Sequence, residues 1–274
     1  MKATSLIDPT LPPGPLDADA LAHYARHGFV KMEGWLDPAQ VTSLRALTDA
    51  LAALPEAPGR WMHYFEEVRE GPVTGRLLCR TEAFMDSQPE LAALLDPPRL
   101  RDALAQLLGE PAALFKEKVN YKLPGGGAYA AHQDAPAFSS FGHRSHVSVM
   151  VPVEDATPEN GGLEVVFDHG DLDLLPTRAD GAMSAEAEAA FTFTPLTVRA
   201  GDALLFHSFV PHRSGVNPTS KARRAYYLTY NRRSEGDRRA EYVALKRASF
   251  PPDCERVPGK VYDAGVFNVG NPIR

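Results

Sequence analysis

Cysteine is scarce in this chain: Cys79 and Cys254 are the only two among 274 residues, and they form no C-x-x-C pair. That excludes a disulfide framework and points to a reducing compartment. Long apolar runs are missing too, so no stretch approaches the roughly 20 residues that a membrane-spanning helix needs. The first residues, Met1 to Pro15, are polar and proline-rich, with neither a basic n-region nor an apolar h-region. They predict no secretory signal. Nor is positive charge in excess: 29 Lys and Arg stand against 35 Asp and Glu, a net charge of −6. No global basic field invites nucleic acid. Internal repeats and low-complexity tracts are also lacking. The expectation is a cytoplasmic protein with a small-molecule partner and neither a nucleic-acid nor a membrane partner.

Against these absences stands a hydrophobic content of 44%, enough for one well-buried domain over residues 1–274. Residues 17–27 read as a short helix closed by Gly28, followed by a strand over Phe29–Met32. Asp37-Pro38 pairs an N-cap with a first-turn proline, and Val41, Leu44, Thr48 and Leu51 continue at helical spacing. A third helix is predicted from Pro98 to Leu108, stopped by Gly109. Together these make a helical buttress over about 16–110. Beyond Pro111 the texture becomes short β runs: Leu114–Leu123, Val147–Val153, Gly162–Phe167, Phe191–Val198, Ala203–Phe206 and Ala225–Tyr230. Turn signals separate them, as in a two-sheet jelly roll over about 111–232, with an extension over 233–274. The fold class expected is mainly β with flanking helices. The acidic, Ala-rich stretch Asp168–Ala190 reads as a loop or lid.

His132-Gln133-Asp134 is the densest chemical signal, answered by His212, 78 residues after Asp134, with Arg223 following. Residues two apart on a strand share a face, so His132 and Asp134 can bind one ion. Two imidazoles and a carboxylate are the donor set for a non-haem Fe(II) with positions left open for oxygen and a co-substrate. Arg223 supplies a fixed cation for the far carboxylate of a 2-oxo acid. A lone H-x-D arises by chance in many chains, and its competing reading is a solvated loop histidine. A second reading of the set is a metal-binding β-barrel that does no oxidation; a dicarboxylate clamp argues against it. His207 lacks an arginine at the right distance, His143 and His146 flank a loop arginine, and His169 follows a strand. His23, His27 and His63 fall in the helical region. The basic residues between Lys221 and Arg256 read mainly as a solvated, ion-paired surface.

His132-Gln133-Asp134, Ala156 to Leu163, Gly201-Asp202 and Pro211 to Gly215 with Arg223 resemble the phytanoyl-CoA dioxygenase family of Fe(II)/2-oxoglutarate oxygenases. The resemblance covers nearly the whole chain. It implies a double-stranded β-helix, cupin-like core, with His132, Asp134 and His212 as iron ligands and O₂ and 2-oxoglutarate as co-substrates. Arg223 matches the family's 2-oxoglutarate arginine and Ser214 the serine sharing its carboxylate; Asn120 and Ser148 match by position. Four further segments (Gly59–Met62, Phe115–Gly126, Tyr227–Asn231 and Ser249–Asp253) are similar to bacterial members that hydroxylate small aminophosphonates. The resemblance therefore implies a hydroxylase of an aminophosphonate or trimethylaminophosphonate, or of another small molecule or natural-product scaffold. One departure is Phe167 to Gly170, where the family often has a proline-glycine-serine-histidine turn. Halogenating relatives need a small residue at the carboxylate position, so Asp134 favours hydroxylation. Lys118, Tyr129 and Phe138 are the candidate substrate contacts. Lys116, Lys118, Asn120 and Lys122 alternate along one strand, although Lys116 and Lys122 read equally well as an exposed edge.

Overall fold

The structure, a computed structural model, describes residues 14–68, 73–170 and 173–262. The expectation of a signal-free start therefore falls almost wholly outside the described residues, as does the end of the C-terminal extension. Local chemistry sets the first elements. Helix α1 (Ala18–His27) begins where the Asp17 side chain accepts from the Ala20 N–H, and it ends at Gly28 with φ 74°. Strand β1 (Phe29–Met32) leads to α2 (Pro38–Ala52), which opens on a reciprocal cap between Asp37 and Gln40. Strands β2 (Met62–Val68) and β3 (Gly75–Glu82) precede α3 (Pro89–Leu95) and α4 (Pro98–Leu108), the latter closed by Gly109 at φ 78°.

Next come β4 (Ala112–Lys122), β5 (Tyr129–His132), β6 (His146–Pro152), β7 (Leu163–Val166), α5 (Ala185–Ala189) and β8 (Phe193–Pro195). The chain continues through β9 (Ala203–His207), β10 (His212–Ser214), β11 (Arg223–Arg232) and α6 (Arg239–Ser249). They form two antiparallel sheets, of order β1-β9-β6-β11-β4-β3-β2 and β5-β10-β7-β8. This is the mainly β, jelly-roll core that the sequence predicts.

Alternation along the strands divides the large sheet's two faces. Val147, Val149, Val151, Tyr226 and Leu228 join Leu44, Leu100 and Leu104 of the helices in one core. Met150, Leu204, Phe206 and Ala225 point the other way and meet Leu163 and Val165 of the small sheet. The helices thus back the large sheet, and the site opens between the two sheets. Truncating Leu104, which is fully buried, would cost about 2–5 kcal/mol. No described helix is long and apolar enough to cross a membrane.

Several expectations change. Besides the expected strand β1, the stretch 16–110 holds β2 and β3, which extend the large sheet at its other edge. His63 consequently sits on β2, its Nδ1 2.7 Å from Thr81 Oγ1. The strand expected over Phe191–Val198 shrinks to β8, with Val198 held by a separate bridge to Ala156. Within 168–190, Met183 N donates to Ala131 O and α5 forms, so the described part is tied to β5. The basic run is largely paired: Arg224 with Glu154 and Asp49, Arg239 with Glu117 and Asp86, Lys246 with Glu82.

Candidate active site

The small sheet builds the centre of the site. His132 ends β5, His212 begins β10, and the two are register partners in an antiparallel pair. Their ring centroids lie 4.2 Å apart. Asp134 follows just past the end of β5, in helical backbone geometry (φ −72°, ψ −28°) before the turn Ala135–Ala137. The sequence argument put it on the strand; a turn instead brings it round. One donor atom from each of His132, Asp134 and His212 lies within 4.8 Å of the others.

Second partners decide which atoms face inward. His132 Nδ1 lies 2.7 Å from Ala130 O, and His212 Nδ1 lies 2.9 Å from Val210 O. A carbonyl only accepts, so each Nδ1 carries the proton and each Nε2 offers a lone pair. Asp134 Oδ2 accepts from Ser148 Oγ at 2.9 Å. Burial pushes both imidazoles down, His132 to about 3. Burial alone would raise the Asp134 carboxyl, but His212, Lys116 and Lys118 outweigh it and hold the group ionised. Two neutral imidazoles and one carboxylate is the protonation state that a divalent iron requires. The donor set fits the metal.

A narrow cleft opens beside these donors, and Lys118, Asn120, Tyr129, Ser214, Arg223 and Tyr227 line it. Arg223 is register partner to Lys122 across β11 and β4, and both side chains are buried. Arg223 Nη2 donates to Gly161 O at 2.7 Å, while its Nε has no hydrogen-bond partner. Asn120 Oδ1 is likewise buried and unpartnered. Unmet polar groups at a cavity wall are a cradle for a polar ligand. Lys118 Nζ, 5.4 Å from the Tyr227 ring centroid, has no hydrogen-bond partner among the described residues. Burial brings its ammonium down to about 7.

Eight expected positions therefore converge: His132, Asp134, His212, Arg223, Ser214, Asn120, Lys118 and Tyr129. Two do not line the cleft. Ser148 stands behind Asp134, where it holds the carboxylate and meets Thr229 Oγ1 at 3.2 Å. Phe138 is fully buried against Phe115, at 5.3 Å between centroids, with Lys116 Nζ 4.3 Å over its ring. The turn after Asp134 rotates that ring into the core. Lys116 and Lys122 do not lie on an exposed edge: both are buried, on a strand that has β3 on one side and β11 on the other. Of the competing histidines, His207 bonds Ser145 and the Phe209 N–H, and His146 pairs with His143.

Sequence reasoning passed over Gln133. Its amide donates to Asp173 O at 2.9 Å and Phe209 O at 2.7 Å, and accepts from Leu175 N at 2.8 Å. The residue between His132 and Asp134 thus clasps two loops. Its alternation out of the metal face was readable, but not the loops it would meet.

Comparison with known proteins agrees with this geometry. The phytanoyl-CoA dioxygenase family model matches residues 24–225. The chain is 41% identical over 251 residues to the 2-aminoethylphosphonate dioxygenase of the uncultured bacterium HF130_AEPn_1, covering 90% of this chain and 95% of that protein. It is 39% identical over 230 residues to the methylphosphonate hydroxylase of Gimesia maris, covering 84% and 86%. The structure of EctD from S. alaskensis with 2-oxoglutarate and 5-hydroxyectoine shares the fold. Its TM-score is 0.70 at 22% identity, over 85% of this chain and 82% of that one. The matched span holds the whole donor set, and the chain belongs to the phytanoyl-CoA dioxygenase family, as an Fe(II)- and 2-oxoglutarate-dependent dioxygenase.

Proposed function

We propose that the enzyme hydroxylates a small phosphonate, with an aminophosphonate or its trimethylated form as first candidate. The observation behind this reading is Lys118, an ammonium without a hydrogen-bond partner in the cleft beside the donor set. The two relatives named for phosphonate chemistry support it. A cation without a hydrogen-bond partner in a partly enclosed site favours a compact anion over a neutral substrate.

In this reading His132, Asp134 and His212 hold the iron. Arg223 and Ser214 hold the far carboxylate of 2-oxoglutarate, with Asn120 as a further polar contact. When bound, iron and 2-oxoglutarate supply the oxidation, in which O₂ is consumed, succinate and CO₂ form, and a C–H becomes C–OH. The chain positions and shields. Lys118 takes the phosphonate, Tyr129 walls the cleft, and Ser148 keeps Asp134 turned to the metal rather than touching the co-substrate. A carboxylate at 134 leaves no place for halide, which favours hydroxylation. A metal-binding barrel without catalysis would leave the Arg223 and Ser214 pair without a purpose. A single domain acting in the cytoplasm, with neither membrane nor nucleic acid as partner, belongs to the same reading; Cys79 and Cys254 are both unbridged.

Succinate formation tests this, measured with Fe(II), 2-oxoglutarate and O₂ across phosphonates, betaines, amino acids and acyl-CoA thioesters. Stimulation by a phosphonate, with hydroxylated product in matching yield, is the expected result. Stimulation confined to the other classes would refute the substrate assignment.

A further inference from the structure

We propose that Lys122 is a positioning residue for the co-substrate, setting the direction in which the Ser214 hydroxyl donates. The inference rests on the reading above, in which Arg223 and Ser214 hold the far carboxylate of 2-oxoglutarate.

An ammonium has three N–H donors, and Lys122 has three acceptors: Ser214 Oγ at 2.8 Å, Gly161 O at 3.3 Å, and Gly215 O. All three donors are used within the protein, so Lys122 has none left for a ligand. Its effect passes through what it holds. A serine hydroxyl has one proton and two lone pairs. With a lone pair of Ser214 Oγ engaged by the ammonium, the proton must point elsewhere. No acceptor for it exists among the described residues, and Ser214 lines the cleft. The free O–H therefore joins the free Arg223 Nε–H at the same end of the cleft, giving two donors for one carboxylate.

The backbone keeps this pair in register. Gly161 O accepts from both Lys122 and Arg223, tying the two cations to one carbonyl. Gly161 itself has φ +70°, and a Cβ there would run into the carbonyl oxygens of Gly215 and Val216. The turn that supplies one acceptor is thus seated directly on the turn that supplies another. Gly161 could not be exchanged for a larger residue without parting them.

A merely structural role explains the arrangement poorly. Lys122 and Arg223 are buried side by side, and neither forms an ion pair among the described residues. Burial, with Arg223 adding to it and Glu66 opposing, pushes the Lys122 ammonium down to about 6. An anion arriving beside them would favour the charged form of Lys122, the form with three N–H donors.

The test is a double-mutant cycle on 2-oxoglutarate binding to Mn(II)-loaded protein without oxygen, by calorimetry. Lys122→Met and Ser214→Ala should each weaken binding about 10- to 100-fold. The double variant should bind no more weakly than Lys122→Met alone. Affinity for 2-oxobutyrate, which lacks the far carboxylate, should not change. Lys122→Gln keeps an N–H for Ser214, and should recover most of the loss; it also serves if Lys122→Met fails to fold. Multiplicative losses, equal weakening of 2-oxobutyrate, or unchanged 2-oxoglutarate binding in Lys122→Met would overturn the inference alone. Wild-type protein that does not bind 2-oxoglutarate would overturn the functional reading itself, and this inference with it.

Discussion

His132 and His212 face each other as register partners across β5 and β10, with ring centroids 4.2 Å apart. Backbone hydrogen bonds of the sheet fix that pair, whereas Asp134 is placed by a turn beyond the strand. Asp134→Ala should therefore leave the fold and the histidine pair intact while lowering succinate formation by at least about 100-fold. Thermal melts and turnover read the two effects separately. Retained turnover would show that the carboxylate is not a ligand.

Ser148 donates to Asp134 Oδ2 and so selects which oxygen faces the donor set. Ser148→Ala should weaken metal affinity by about 10- to 100-fold. The 2-oxoglutarate affinity of the metal-saturated protein should stay the same. A change in co-substrate affinity instead would return Ser148 to the co-substrate.

Arg223→Met removes the guanidinium opposite Lys122. Losing one partner of a buried charged contact costs about 2–5 kcal/mol. The KM for 2-oxoglutarate should rise at least about 30-fold, equivalent to the lower end of that range. Substrate-free titration of the variant with 2-oxoglutarate checks the same loss at equilibrium.

Acid should destabilise this fold well before its carboxylates protonate. Burial pushes His207 down to about 3 and His146 down to about 2, with neighbouring histidines adding to the effect. Both are neutral when folded and take up protons below about pH 6.5 when unfolded. The unfolded chain binds more protons in that window, so stability falls as pH drops from about 6.5 toward 3. At pH 5 each contributes a loss of up to about 2 kcal/mol. Urea midpoints at pH 7 and pH 5 measure it. His207→Asn keeps an acceptor for the Phe209 N–H and should show a shallower decline.

Local chemistry explains what was legible. Asp17, Gly28, the Asp37–Gln40 pair and Gly109 mark helix ends by hydrogen bonds within a few residues, so α1, α2 and α4 could be placed from sequence. Strands β2 and β3 could not, because buried positions there hold Glu66, Arg80 and Glu82 rather than apolar groups. Glu82 is tolerated because Arg80 beside it and Lys246, 164 residues away, both pair with it. Lys122 misled for a related reason. Whether a strand is an edge depends on its neighbours, and the sequence of β4 does not contain β3. Phe138 lies four residues from Asp134, yet a single short turn separates the cleft from the core.

Strand β4 presents Lys118 and Lys122 on the same face, four residues apart. At about 3.3 Å per residue, their anchor points stand about 13 Å apart. If one end fastens the co-substrate and the other the substrate's anionic head, the strand acts as a fixed gauge between them. Each methylene added to a substrate then shifts which carbon is presented to the metal, while the head stays put. Chain length would choose the site of hydroxylation, and an insertion or deletion in β4 would change that choice without touching a single ligand.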